Sequence, residues 1–180
     1  MKLTAFPALA LGVALVVTAC SGDQSPPATP TPAGSTTRVD FTASPAPPAG
    51  AGIIRDVRIG AHPENGGFDR LVFEFEVGTS SGWVGYVDED EIRSCGPGEL
   101  VPLQGEAALK VHLDSAAQHE DGQTTAAPRQ LPGTGNSVRE AVLICDFEAV
   151  VEWGVGASGI KPFTVTTLSD PPRLVIDIRW

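Results

Sequence analysis

From residue 53 onward, apolar side chains recur at every second position. Leu71, Phe73, Phe75 and Val77 line one side of a run whose other side carries Glu74 and Glu76. Leu109, Val111 and Leu113 alternate with Lys110, His112 and Asp114. Ala141, Leu143, Cys145 and Phe147 alternate with Val142, Ile144, Asp146 and Glu148, and Leu174, Ile176 and Ile178 alternate with Val175, Asp177 and Arg179. A strand turns successive side chains to opposite faces, so a period of two predicts half-buried strands. Ile53–Ile59, Trp83–Val87 and Phe163–Leu168 are shorter candidates, and Gly or Pro separates nearly all of these runs. No window shows a convincing helical period; Ser115–Glu120 offers one turn at most. The pattern predicts an all-β domain over residues 51–180, an antiparallel β-sandwich or barrel of about seven to nine strands. The stretch from Gln118 to Ser137 is polar and rich in Gly and Pro, and it reads as a long loop of the kind that is often functional.

The first fifty residues follow other rules. Lys2 precedes an apolar run from Ala5 to Val17, too short to cross a hydrocarbon core of ~30 Å as a helix but right for a secretory leader. The run closes on Val17-Thr18-Ala19-Cys20, small residues followed directly by cysteine. That order predicts a lipoprotein signal peptide over residues 1–19. Cys20 would take a diacylglycerol on its sulfur and become the new N-terminus. Residues 20–50 are Pro, Ala, Ser, Thr and Gly with few charges, a composition that buries too little to fold and predicts a disordered tether. Such a tether reaches about 30 Å as a flexible coil and ~90 Å if fully extended. Phe41 is its only large apolar residue, the one candidate to dock on the domain. The expected location is the extracytoplasmic face of the cell membrane.

Charge narrows the list of partners. The formal net charge is −10, and loss of Lys2 with the leader makes it −11. A chain this acidic is repelled by phosphate polymers, which argues against nucleic acid, and its contact with the membrane falls to the lipid on Cys20. Of three cysteines, Cys20 goes to lipid. Cys95 and Cys145 then remain in a chain exported to an oxidising space, where a disulfide closing a loop of about 50 residues is worth ~4 kcal/mol.

Several motif matches fail on context. Gly78-Thr79-Ser80-Ser81-Gly82 has the letters of a nucleophile elbow, but a strand follows it rather than a helix, so it reads as a hairpin loop. Gly154-Val155-Gly156-Ala157-Ser158-Gly159 has the letters of a dinucleotide fingerprint, but Pro162 stops any helix behind it, so it reads as a turn. Asp88-Glu89-Asp90-Glu91 lacks the spacing of a calcium loop and reads as a solvated charged segment. His62, His112 and His119 show no zinc-ligand spacing. No catalytic constellation, metal site or cofactor motif emerges, and an enzyme is not expected.

Two stretches carry more. His62-Pro63-Glu64-Asn65-Gly66-Gly67-Phe68-Asp69-Arg70 is a turn feeding a strand. Asp170-Pro171-Pro172-Arg173-Leu174-Val175-Ile176-Asp177-Ile178 enters the last strand with Arg173, Val175 and Asp177 on one face. Two readings of Arg70, Arg173 and Asp177 stand side by side. They are structural ion pairs between neighbouring strands, or the guanidinium forks bind carboxylates or acetamido sugars.

These stretches, with Arg139-Glu140-Ala141-Val142 and Phe147-Glu148-Ala149-Val150-Val151-Glu152-Trp153-Gly154-Val155-Gly156, resemble the AMIN-like domain of small lipoproteins and secreted proteins from high-GC Gram-positive bacteria. The closing strand is distantly similar to the AMIN domain of N-acetylmuramoyl-L-alanine amidases. The resemblance implies a β-sandwich with an envelope role and binding to cell-wall peptidoglycan, without catalytic residues. On that expectation Trp153, Trp83 or Tyr86 would stack on sugars while Arg70 or Arg173 bonds carboxylates. The alternative is a protein-interaction module that recruits an envelope enzyme through an exposed sheet edge. Cys95 and Cys145 depart from the family pattern.

Overall fold

The computed structural model describes residues 34–47, 51–126 and 128–180. The leader, Cys20 and the first part of the tether lie outside the described residues. Thirteen strands follow in chain order: β1 Val39–Phe41, β2 Gly52–His62, β3 Phe68–Phe75, β4 Ser81–Val87, β5 Ala107–Asp114, β6 Ala116–Ala117, β7 His119–Glu120, β8 Gln123–Thr124, β9 Gln130–Pro132, β10 Val138–Phe147, β11 Val150–Ala157, β12 Phe163–Ser169 and β13 Pro172–Arg179. They build a six-stranded sheet in the order β1-β4-β5-β11-β10-β9 and a five-stranded sheet in the order β12-β13-β3-β2-β6, with β7 and β8 forming a small hairpin. All pairs are antiparallel except β2 with β6. The expected all-β sandwich is the observed one, with several strands too short for the sequence pattern to show.

The core lies between the two sheets, filled by the inward half of each alternating run. Leu71, Phe73 and Phe75 from β3 and Leu174, Ile176 and Ile178 from β13 meet Leu109, Val111 and Leu113 from β5 and Val151, Trp153 and Val155 from β11. Phe73 packs edge-to-face on Trp153, with ring centres 5.9 Å apart. Each fully buried large side chain contributes about 1.5–3 kcal/mol through removal from water.

Four readings of the sequence change here, each for a local reason. β3 ends at Phe75, so Val77 lies in the following turn and is exposed. That turn is no hairpin loop, because β3 and β4 belong to different sheets; Gly78–Gly82 carries the chain across the sandwich. In β10 a bulge between Leu143 and Cys145 shifts the register against β11. Two residues then oppose one, and Cys145 and Phe147 face outward instead of joining Ala141 and Leu143. Finally, Gly154 and Gly156 sit within β11 and form no turn. A side chain at Gly154 would meet Ile92 at 3.1 Å and Leu103 at 3.2 Å, and one at Gly156 would strike the carbonyl of Gln104. The glycines admit the 88–106 connection across the sheet face.

That connection carries its own small core of Ile92, Ala108 and Ile144, and the disulfide Cys95–Cys145 pins it to β10, with the two Cα atoms 5.0 Å apart. The domain also begins before residue 51. Ser35 exchanges backbone hydrogen bonds with Phe163 of β12, β1 pairs with β4, and Phe41 packs against the core. Val39-Asp40-Phe41 covers the β4 edge over Gly82–Val84.

The two sheets are tied at one end by a buried carboxylate. Asp69 points inward from β3 and its Oδ2 accepts from the backbone N–H groups of Ser137 and Val138, both at 2.7 Å, where β10 begins. Its Oδ1 accepts from the Trp180 indole at 2.9 Å. The Trp180 ring lies over Gly67, where any Cβ would overlap it. Asp69→Ala leaves two buried backbone donors and the half-buried Trp180 indole without their acceptor and is expected to cost about 3 kcal/mol or more, read as a lowered urea midpoint.

Candidate functional site

The sequence candidates separate into core and surface. Trp153 is fully buried; its indole N–H donates to the Gln118 side chain at 3.1 Å, and the Gln118 amide in turn donates to the Ala126 carbonyl at 2.8 Å. A ring enclosed in this way cannot stack on a ligand, so Trp153 is a core residue and not the sugar platform expected of it. Tyr86 is likewise structural. Its ring packs edge-on to Phe163, and its hydroxyl accepts from the Lys161 N–H at 2.8 Å and faces the Lys161 carbonyl at 3.0 Å.

Arg70, Arg173 and Asp177 lie together on the outer face of the five-stranded sheet. Cross-strand register aligns Asp177 with Arg70 and Gly60, Val175 with Val72 and Arg58, and Arg173 with Glu74 and Asp56. Arg70 forms a fork on Asp177, with Nε at 2.7 Å and Nη2 at 2.8 Å from its two oxygens. That hydrogen-bonded pair raises the guanidinium further above its usual range. Arg58 is shared by Asp56 and Glu74. Arg173 donates from Nε to the Pro171 carbonyl at 3.2 Å and, among the described residues, pairs with no carboxylate. Within this triad Arg70 and Asp177 form a structural cross-strand pair, and Arg173 stands outside it. Phe68 closes one end of the face, with the His62 ring parallel at 4.8 Å and the guanidinium groups of Arg70 and Arg179 at 5.1 and 5.6 Å.

The outer face of the six-stranded sheet holds a second cluster that the sequence reading passed over. Glu152 on β11 receives Lys110 at 3.0 Å and His112 Nδ1 at 2.8 Å, and His112 Nε2 lies 3.1 Å from Asp114. Trp83 stacks on the His112 ring at 5.5 Å, and Arg38 covers it at 4.4 Å. The signal was present in the alternation Lys110, His112, Asp114, but Glu152, the common partner of Lys110 and His112, is set by β5–β11 register. The Trp83 ring is thus already engaged by a cation and a histidine, whereas Phe147, 60% exposed, has neither. Among the described residues, no group of three or more His, Cys, Asp or Glu side chains is placed to hold a metal ion.

The model for the AMIN-like domain matches residues 52–180, and the chain belongs to this family. No characterised protein and no solved structure matches the chain. Membership points to a peptidoglycan-related, non-catalytic module. It covers β2 through the end of β13 and includes both the Asp69 tie and the arginine-bearing face.

Tyr86 is the only tyrosine of the sequence, so its titration can be followed alone. Burial pushes its phenol above the usual range, against the opposing effect of the Lys161 backbone hydrogen bond. A folded pKa above the unfolded value of about 10 stabilises the fold below that pH, and the contribution is lost as pH rises through the folded value. Absorbance near the phenolate band should give a midpoint above that of the urea-unfolded chain, and stability should fall from about pH 10 upward.

Proposed function

We propose that this chain is a non-catalytic lipoprotein of the bacterial cell envelope, anchored through Cys20, whose AMIN-like sandwich binds peptidoglycan on the outer face of its five-stranded sheet. Arg173 carries the reading. On a flat face where Arg58 and Arg70 are paired with carboxylates, its guanidinium is bonded only to a main-chain oxygen. Thr164 and Thr166 of the neighbouring strand add hydroxyls on the same face, by their register with Asp177 and Val175. Peptidoglycan supplies carboxylates in its peptide stems and hydroxyl and acetamido groups in its glycan, which suit guanidinium and hydroxyl donors. On this face the Phe68 ring is already engaged by His62, Arg70 and Arg179, so recognition rests on hydrogen bonds rather than stacking. The overall negative charge adds no long-range attraction, so affinity is about micromolar or weaker.

Co-sedimentation of the purified protein with peptidoglycan tests this. Arg173→Ala should reduce the bound fraction several-fold while leaving the unfolding curve in place, and Arg173→Lys should restore only part of it. Absence of wild-type co-sedimentation at every ionic strength would sink the wall-binding reading. Recruitment of an envelope protein would then be the better one. It is supported by the edge strand β12, where Val165 and Thr167 line a groove of about 490 Å³ opposite Asp40, Phe41, Thr42 and Ser44.

The anchor is tested separately. Cys20→Ala should move the protein from the membrane fraction to the soluble one and remove the mass of acyl chains. Unchanged fractionation, with no acyl mass on the native protein, would end that part of the proposal.

A further inference from the structure

The 88–106 connection does more than cover a sheet. Asp88, Glu89, Asp90, Glu91, Glu99 and Glu106 are all exposed, and among the described residues none forms an ion pair. The cation within the segment does not relieve them. Arg93 turns its guanidinium to the carbonyls of Asp90 and Gly98, at 2.7 and 3.0 Å. Beside these carboxylates runs an apolar cleft of about 90 Å³, floored by Ile92 and Ala108 and walled by Leu100 and Leu103, with Glu89 on its rim. Past Ala108 and Glu89 lies a second hollow of about 220 Å³ that includes Asp88, Glu106 and Ile160. Leu100 is 52% exposed and Ile160 64%, large aliphatic side chains standing in water at the two hollows.

The segment is also fixed in place. The disulfide holds Cys95, the Val101 N–H donates to the Ile92 carbonyl at 2.8 Å, and the Gln104 N–H donates to the buried Glu140 side chain at 2.6 Å. Like charges held together on a rigid frame repel one another and lower stability. An apolar cleft held open leaves aliphatic surface in water. A partner that brings both positive charge and apolar side chains removes both costs. We propose that this face docks a cationic, amphipathic protein segment in which aliphatic side chains enter the hollows beside Leu100 and Ile160 while Lys or Arg meets the carboxylate rim. This surface lies apart from Arg173, and the proposal does not depend on wall binding.

The experiment uses the purified full-length protein and three labelled heptapeptides, followed by fluorescence anisotropy: alternating lysine and leucine, alternating lysine and serine, and alternating glutamate and leucine. The lysine–leucine peptide should bind with an affinity that falls as salt rises, and the other two should bind at least roughly tenfold more weakly. The double variant Leu100→Ser, Ile160→Ser should weaken binding roughly tenfold, and Glu89→Gln, Glu106→Gln should flatten the salt dependence. All four positions are exposed, and urea curves confirm that each variant is folded. Both double variants should co-sediment with peptidoglycan at the wild-type level, so the two proposals can fail separately. Equal binding of the lysine–serine peptide would reduce the effect to bulk charge and overturn the proposal. Wild-type affinity in both double variants would place the peptide elsewhere and overturn it as well.

Discussion

A single buried carboxylate sets the geometry of this domain. Asp69 leaves β3 on the inward side, where a sandwich normally carries hydrocarbon, and is compensated by two backbone N–H donors from the opposite sheet and the Trp180 indole from its own. Dispersion and hydrophobic burial hold two sheets together without fixing how one slides over the other. A carboxylate with directional donors does fix it. The donors come from the start of β10 and from Trp180, so the tie joins the five-stranded sheet to the six-stranded one and seats the indole over Gly67. The neighbours in sequence then fall into place: Phe68 outward against His62, and Arg70 outward against Asp177.

With the sheets locked, the outer faces are free to differ. One is flat and laced with ion pairs between adjacent strands, with Val72 and Val175 buried beneath the charged chains. The other is largely roofed by the disulfide-pinned segment, and its open part holds the Glu152 cluster beside Trp83. Surface ion pairs of this kind add little stability, about 0–1 kcal/mol each. Their effect is to consume donors and acceptors, which sets apart Arg173 and Arg179, each bonded only to a main-chain oxygen. The same logic isolates the acidic connection, where no cation from the described chain answers the carboxylates.

Much of the fold was legible because burial on one face enforces period two. The β5, β13 and most of the β3 positions were assigned correctly from alternation alone. The errors arose where a local device breaks that period without a mark in the residue types. Phe147 and Cys145 sit beyond a bulge. Gly154 and Gly156 carry turn-like letters but serve a close approach by a segment fifty residues earlier. Trp153 has the chemistry of a sugar platform, and only long-range packing against Gln118 and Phe73 reveals it as core. Of the site residues, Arg70, Arg173 and Asp177 were visible as a shared strand face. Which of the two arginines is spent on Asp177 depended on the register of β3 against β13, a fact about two strands more than a hundred residues apart.

The bulge in β10 gives oxidation an unexpected authority. In an unbulged strand, Cys145 would share the inward side with Leu143, sealed from a thiol arriving over the outer surface. One surplus residue at Ile144 turns the sulfur outward to where Cys95 waits. The bond therefore fits the native frame of the strand, and a pairing slipped by one position would turn Cys145 away from Cys95. In an oxidising compartment this makes covalent closure a proofreading step.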